Sequence, residues 1–153
     1  MKKNLIVIAI ALLISSCDQH QSQDEKLSFK PSELLDDFKN DSLTIELRKE
    51  KLAGFLQQTS ALKNDTLKKK NYLQASYYAA TIDSALFLRA NANAIKYARA
   101  LKDSLGLAGA FWDRGFFFSE IGGYRESYNA YQKASDLYLA KKEPIKAARL
   151  LIN

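Results

Sequence analysis

The chain has 153 residues, 47% hydrophobic and 26% charged, with six glycines, two prolines, one cysteine and one histidine, the composition of one ordinary globular domain. A single cysteine closes no intramolecular bridge and, with one histidine, supplies no four-ligand zinc site, so disulfide scaffolds, structural zinc folds and collagen-like or mucin-like chains are excluded. Lysine and arginine outnumber the acids by 23 to 17, a formal net charge of +6, which points to nucleic acid or anionic lipid only where the charges cluster.

Met1-Lys2-Lys3-Asn4 leads into the apolar run Leu5 to Ile14, the basic and hydrophobic parts of a secretory signal. The run is too short to cross a bilayer, which takes about 20 apolar residues. Leu13-Ile14-Ser15-Ser16-Cys17 resembles the lipobox of bacterial lipoproteins, in which small residues precede the cysteine that receives the lipid. The resemblance implies removal of residues 1–16, a lipidated Cys17 at the new N-terminus, and attachment to a membrane through acyl chains. Part of the basicity then belongs to targeting, because Lys2 and Lys3 leave with the signal. Residues 17–30 are polar and aperiodic and read as a flexible tether. His20 lies in it, where no fixed geometry supports catalysis. Asp24-Glu25 is similar to surface-export signals of Bacteroidetes lipoproteins, so the expected location is the bacterial cell envelope, at its periplasmic face or the cell surface.

From Pro31 onward no alternating strand pattern is present and apolar residues recur at helical spacing, so the expected fold class is all-α. Residues 31–63 read as N-terminal helices. One opens at Pro31-Ser32-Glu33 with Leu34, Leu35 and Phe38 on one face. Asn40-Asp41-Ser42 ends it and caps the next, whose inner face is Leu43, Leu47, Leu52, Phe55 and Leu56. A cap at Asn64-Asp65 starts a stretch through Lys68-Lys69-Lys70, Tyr72, Tyr77 and Tyr78, and Asp83-Ser84 starts the helix after it.

Displacing the sequence by forty residues aligns Ala90 with Ala130, Ala94 with Ala134, Lys102 with Lys142 and Ala108 with Ala148. Tyr72, Tyr77 and Tyr78 fall on Trp112, Phe117 and Phe118, and Ala75 falls on Gly115. Small and aromatic positions therefore recur together, the signature of stacked helical units.

The segment from Ala108 to Ala134 resembles a tetratricopeptide repeat. Phe111, Gly115 and Phe118 meet its large, small and aromatic slots in a first helix. Ser127, Tyr131 and Ala134 meet its small, aromatic and alanine slots in a second. Gly122 and Tyr124 supply the turn and the aromatic that follows it. Physically, Gly115 and Ala134 let two helices approach closely, while Phe118 and Tyr131 fill the wedge beside them. The resemblance implies antiparallel helix pairs stacked as a short α-solenoid over residues 64–153, best at 108–141 and degenerate at 64–104. In the degenerate copy the small slot falls on Phe87 and the aromatic slot on Asn91, and a two-residue slip would bring Ala85 to the small slot, so both registers stay open. Pro144 to Asn153 has the pattern of the first helix of an incomplete further repeat. That pattern implies continuation in a longer protein, or cover of the last helix by a partner or by self-association.

No phosphate loop, metal-spaced histidine or activated nucleophile is present in the sequence, so an enzyme, a cofactor and a metal are not expected. Asp36-Asp37 are adjacent and face different ways on a helix. Lys68-Lys69-Lys70 reads as a solvated face, and export removes the chain from nucleic acid. In tetratricopeptide proteins the inner groove is built from first helices, which makes Trp112, Phe116 and Ser119, with Tyr72 and Ser76 one repeat earlier, the candidate groove residues. Tyr72, Trp112 and Phe116 are then expected to form an aromatic strip for a protein or peptide partner, or to be covered by the N-terminal helix. The functional expectation is a lipid-anchored envelope scaffold for protein interaction. The alternative is the truncated sensory input region of a membrane signalling protein such as a histidine kinase.

Overall fold

The computed structural model describes residues 43–150. The signal segment, Cys17, His20, the helix expected at Pro31 and residues 151–153 lie outside the described residues. The described chain is all-α, with helices α1 (Ile45–Ala61), α2 (Asp65–Ala79), α3 (Ser84–Ala100), α4 (Ser104–Glu120), α5 (Tyr124–Ala140) and α6 (Pro144–Arg149). Turns of three or four residues join them, and each helix packs on its sequence neighbour in a repeat-like arrangement. The tightest pairs are α2 with α3 and α4 with α5, and α2 also reaches α4.

Four of the helix starts are set by side-chain caps. Thr44, Asn64, Asp83 and Asp103 accept hydrogen bonds from the backbone N–H groups of Leu47, Leu67, Leu86 and Gly106 respectively. Each satisfies a donor that the helix itself leaves without a partner. The first cap differs from the expected Asn40-Asp41-Ser42, which lie outside the described residues, and Leu47 is exposed rather than inward. The reason is helical phase. The buried stripe of Leu52, Phe55, Leu56 and Thr59 extends backward through position 48, where Arg48 is half-buried, and Leu47 falls to its side.

Three turns share one design. Asp103 N–H donates to Ala98 O (2.9 Å), Gly123 N–H to Phe118 O (2.8 Å) and Glu143 N–H to Tyr138 O (2.9 Å). The residue before each of these donors is left-handed: Lys102 at φ 53°, Gly122 at 78° and Lys142 at 58°. This is the Schellman reversal, and it recurs every twenty residues. The aligned lysines 102 and 142 therefore occupy the same backbone role.

The alternative registers of the earlier copy are also resolved. The caps Asp83 and Gly123 lie forty residues apart, and Ala85 is exposed, so the copies align without a slip. Phe87 and Asn91 are both buried where the later copy has Ser127 and Tyr131. Large and small have exchanged places along the second helix. The ring of Phe87 stacks on Phe117 at 4.0 Å, and the smaller Asn91 turns its amide inward, so volume is conserved between the copies.

Candidate functional site

The residues named for repeat packing lie where two helices meet. Phe111, Gly115, Ser127 and Ala134 are buried, and Phe118 and Tyr131 are half-buried. Ser127 Oγ donates to Gly115 O at 2.8 Å, linking α5 to α4. A Cβ built on Gly115 would stand 2.5 Å from the Tyr131 ring, so the missing side chain is what admits the tyrosine.

Beside this contact is a cleft of about 740 Å³. Tyr77, Tyr78 and the turn at Ala80, Thr81 and Ile82 form one wall, and Trp112, Asp113, Phe116, Ser119 and Glu120 of α4 form the other. Arg48 of α1 and Tyr131 of α5 complete it. Phe116 is 38% exposed and Tyr77 68%. Trp112 is half-buried, its ring edge-on to Tyr138 at 6.4 Å. Ser119 Oγ donates to Phe116 O at 2.7 Å and also shares a hydrogen bond with Tyr131. Burial raises the Tyr131 phenol above its ordinary range.

The structure divides the five candidate groove residues. Trp112, Phe116 and Ser119 lie together in the cleft. Tyr72 and Ser76 are not surface groove residues. Tyr72 is buried and stacked on Tyr97 at 5.7 Å, and it borders a separate depression shared with α1 residues such as Leu56 and Gln57. The three-ring strip therefore does not form, because α1 packs over the earlier copy. Ser76 is fully buried. Asn91 Nδ2 donates to Ser76 Oγ (3.1 Å) and to Ala110 O (2.7 Å).

Ser76 in turn hydrogen-bonds Asp113, the cleft residue that sequence reading passed over. Asp113 is half-buried. Burial pushes its carboxyl up to about 7, against the opposing effect of the Ser76 hydroxyl. Arg48 is the basic side chain in the lining of the same cleft. Its negative charge also contributes, after burial, to raising the Tyr138 phenol. A signal was present in the sequence: Asp113 is the single acid in a run with Phe111, Trp112, Phe116, Phe117 and Phe118, an uncommon setting for a carboxylate.

The basic run is largely used inside the molecule. Lys68 lies 5.5 Å from the centre of the Tyr97 ring, and Lys69 is paired with Asp103. A second depression, of about 330 Å³, collects Arg99, Arg114, Glu126 and Lys133 around Phe111. Its cations already lie over rings, Arg99 and Lys133 over Phe111 and Arg114 over Phe118. Among the described residues no cluster of acids, histidine or cysteine suits a metal ion, and no helix is long and apolar enough to cross a membrane.

Comparison with known proteins yields no match to any family model, to any curated protein or to any solved structure. The reading of function therefore rests on the residues themselves.

Proposed function

We propose that this chain is a tetratricopeptide-type interaction scaffold, held on a bacterial envelope membrane by lipid at Cys17 and without catalysis of its own. The observation that carries the binding role is the cleft of about 740 Å³ that leaves Phe116 and Tyr77 exposed beside Trp112. Large aromatic side chains offer much contact area at low entropic cost and dominate many interfaces. A cleft of this size accepts a few side chains of an extended segment. The forty-residue recurrence supports the repeat assignment, and the lipobox-like segment supports the anchor.

The test combines two readouts in the bacterial host. A photo-reactive phenylalanine analogue at Phe116 is expected to give a discrete protein adduct, while the same analogue at exposed Leu88 on α3, outside the cleft, gives none. The Cys17→Ala chain is expected to leave the membrane fraction and keep the signal segment. Absence of an adduct at Phe116 overturns the binding surface, and membrane retention of Cys17→Ala overturns the anchor.

A further inference from the structure

We propose that the cleft between α2 and α4 receives a lysine or arginine side chain from an extended segment of a protein partner, the cation meeting the Asp113 carboxylate among the rings of Trp112, Phe116 and Tyr77. The inference rests on the scaffold reading and adds the chemistry of the partner. Three observations converge on it.

The first is the isolation of Asp113. An ionised carboxylate withdrawn from water is costly unless a cation or several donors answer it. Among the described residues its hydrogen-bond partner is the Ser76 hydroxyl, itself fixed by the Asn91 amide. The network orients the carboxylate without neutralising it.

The second is the treatment of aromatic rings elsewhere in the molecule. Tyr97 has Lys68 and Lys96 over it, Phe111 has Arg99 and Lys133, Phe118 has Arg114, and Tyr138 has Lys146, all at 5.4–6.0 Å. Among the described residues, the rings of Trp112, Phe116 and Tyr77 have no such partner. Ring faces attract cations, tryptophan most strongly.

The third is charge complementarity. Glu120 adds a second carboxylate to the same wall. With Arg48 the one cation among the described residues of the lining, against two carboxylates, an acidic segment would meet net repulsion there, and a wholly apolar one would seal the Asp113 carboxylate against the rings without a partner of its own. A lysine or arginine has an apolar stem for the rings and a charged head for the acid.

Trp112 is the sole tryptophan, so its fluorescence in the full-length chain in detergent reports this cleft directly. The probes are heptapeptide pools randomised at six positions and fixed at the centre as lysine, arginine, norleucine or glutamate. Lysine and arginine pools are expected to perturb Trp112 at concentrations at least tenfold lower than the norleucine pool, and the glutamate pool to bind most weakly. Asp113→Asn is expected to erase the preference of lysine over norleucine, and Glu120→Gln to reduce it by less. Lysine-pool affinity is expected to fall as pH drops from 8 to 5.5, by up to about tenfold per unit below pH 7. Among the described residues, the other charged or titratable groups around the cleft are Arg48 from α1, Tyr77 and Tyr78 from α2, Glu120 from α4, and Tyr131 and Tyr138 from α5. Glu120→Gln must therefore retain that pH dependence and Asp113→Asn must lose it.

Equal binding by lysine and norleucine pools, or a lysine preference that survives Asp113→Asn, overturns the cation assignment and leaves peptide binding in place. No response of Trp112 to any pool, together with no adduct at Phe116 in the host, overturns both.

Discussion

Lys69 on α2 and Asp103 at the start of α4 are joined by an ion pair of 2.5 Å across 34 residues of sequence. Lys49 on α1 and Asp83 at the start of α3 form the same kind of pair, also 34 residues apart in sequence. Each aspartate does two things at once: it caps its own helix and it binds the helix two elements earlier. The contact thus fastens neighbouring units as well as finishing a helix. Gly106 belongs to the arrangement, since a Cβ there would clash with Asp103 Oδ2.

Replacing Asp103 by alanine is expected to destabilise the chain by about 1–2 kcal/mol, chiefly through the lost cap, while Lys69→Met removes at most about 1 kcal/mol. Urea unfolding of both single variants and the double variant measures the coupling, which should be positive. The acid limb follows from the same groups. The Gly106 N–H and the Lys69 ammonium hold the Asp103 carboxyl below its ordinary range, and the Lys49 ammonium and the Leu86 N–H do so for Asp83. Their contribution is complete above the unfolded carboxylate range and is lost as pH falls through the lowered folded values.

Lys102 and Lys142 stand in left-handed backbone where Gly122 stands in the turn between them. A side chain in that conformation costs about 1 kcal/mol relative to glycine. Lys102→Gly and Lys142→Gly are each expected to raise the unfolding midpoint, and Gly122→Ala to lower it, by amounts worth about 1 kcal/mol. Thermal unfolding of the three variants checks the signs, and a loss of stability in Lys102→Gly would contradict the turn geometry.

How far the sequence foretold this molecule depends on the range of the interaction concerned. Caps at Asn64 and Asp83 and the reversal at Gly122-Gly123 are local, and their residues name them. The packing of Gly115 against Tyr131 was legible because two copies carry small residues at the same place. Periodicity assigns Tyr72 and Ser76 to a face and says nothing of what covers it; α1 borders the first, and the Asn91 amide claims the second. For Asp113 the aromatic run marks an unusual setting for an acid, but what buries and holds it is Ser76, 37 residues earlier, and no local pattern brings the two together.

Gly115 and Tyr131 meet where α4 and α5 pack in the later copy. Gly115→Ala places a methyl where the ring now lies, so Tyr131 must swing out or α4 and α5 must separate. The expected cost is about 1–3 kcal/mol. Since Tyr131 also lines the cleft, the same variant should alter the fluorescence of Trp112. Pairing it with Tyr131→Leu is expected to recover part of the stability, which a loss arising from helix propensity alone would not allow.

Asp113 gives the last prediction and the one with the clearest sign. Its carboxyl titrates at about 7 in the folded chain and near 3.9 in an unfolded one. Between those values the folded state holds a proton that the unfolded state has released, so stability falls as pH rises through the interval and levels off above about 7. At about 1.4 kcal/mol per unit, reduced for the partial exposure of the group, the loss is on the order of 3 kcal/mol. Asp113→Asn keeps the shape and removes the charge. It is therefore expected to be more stable than the parent chain at pH 8, close to it at pH 4.5, and flatter between, as read by urea unfolding at each pH. A variant less stable at pH 8 would mean that the carboxylate is held by a cation in the free chain, and the cleft would then have its counter-charge before any partner arrives.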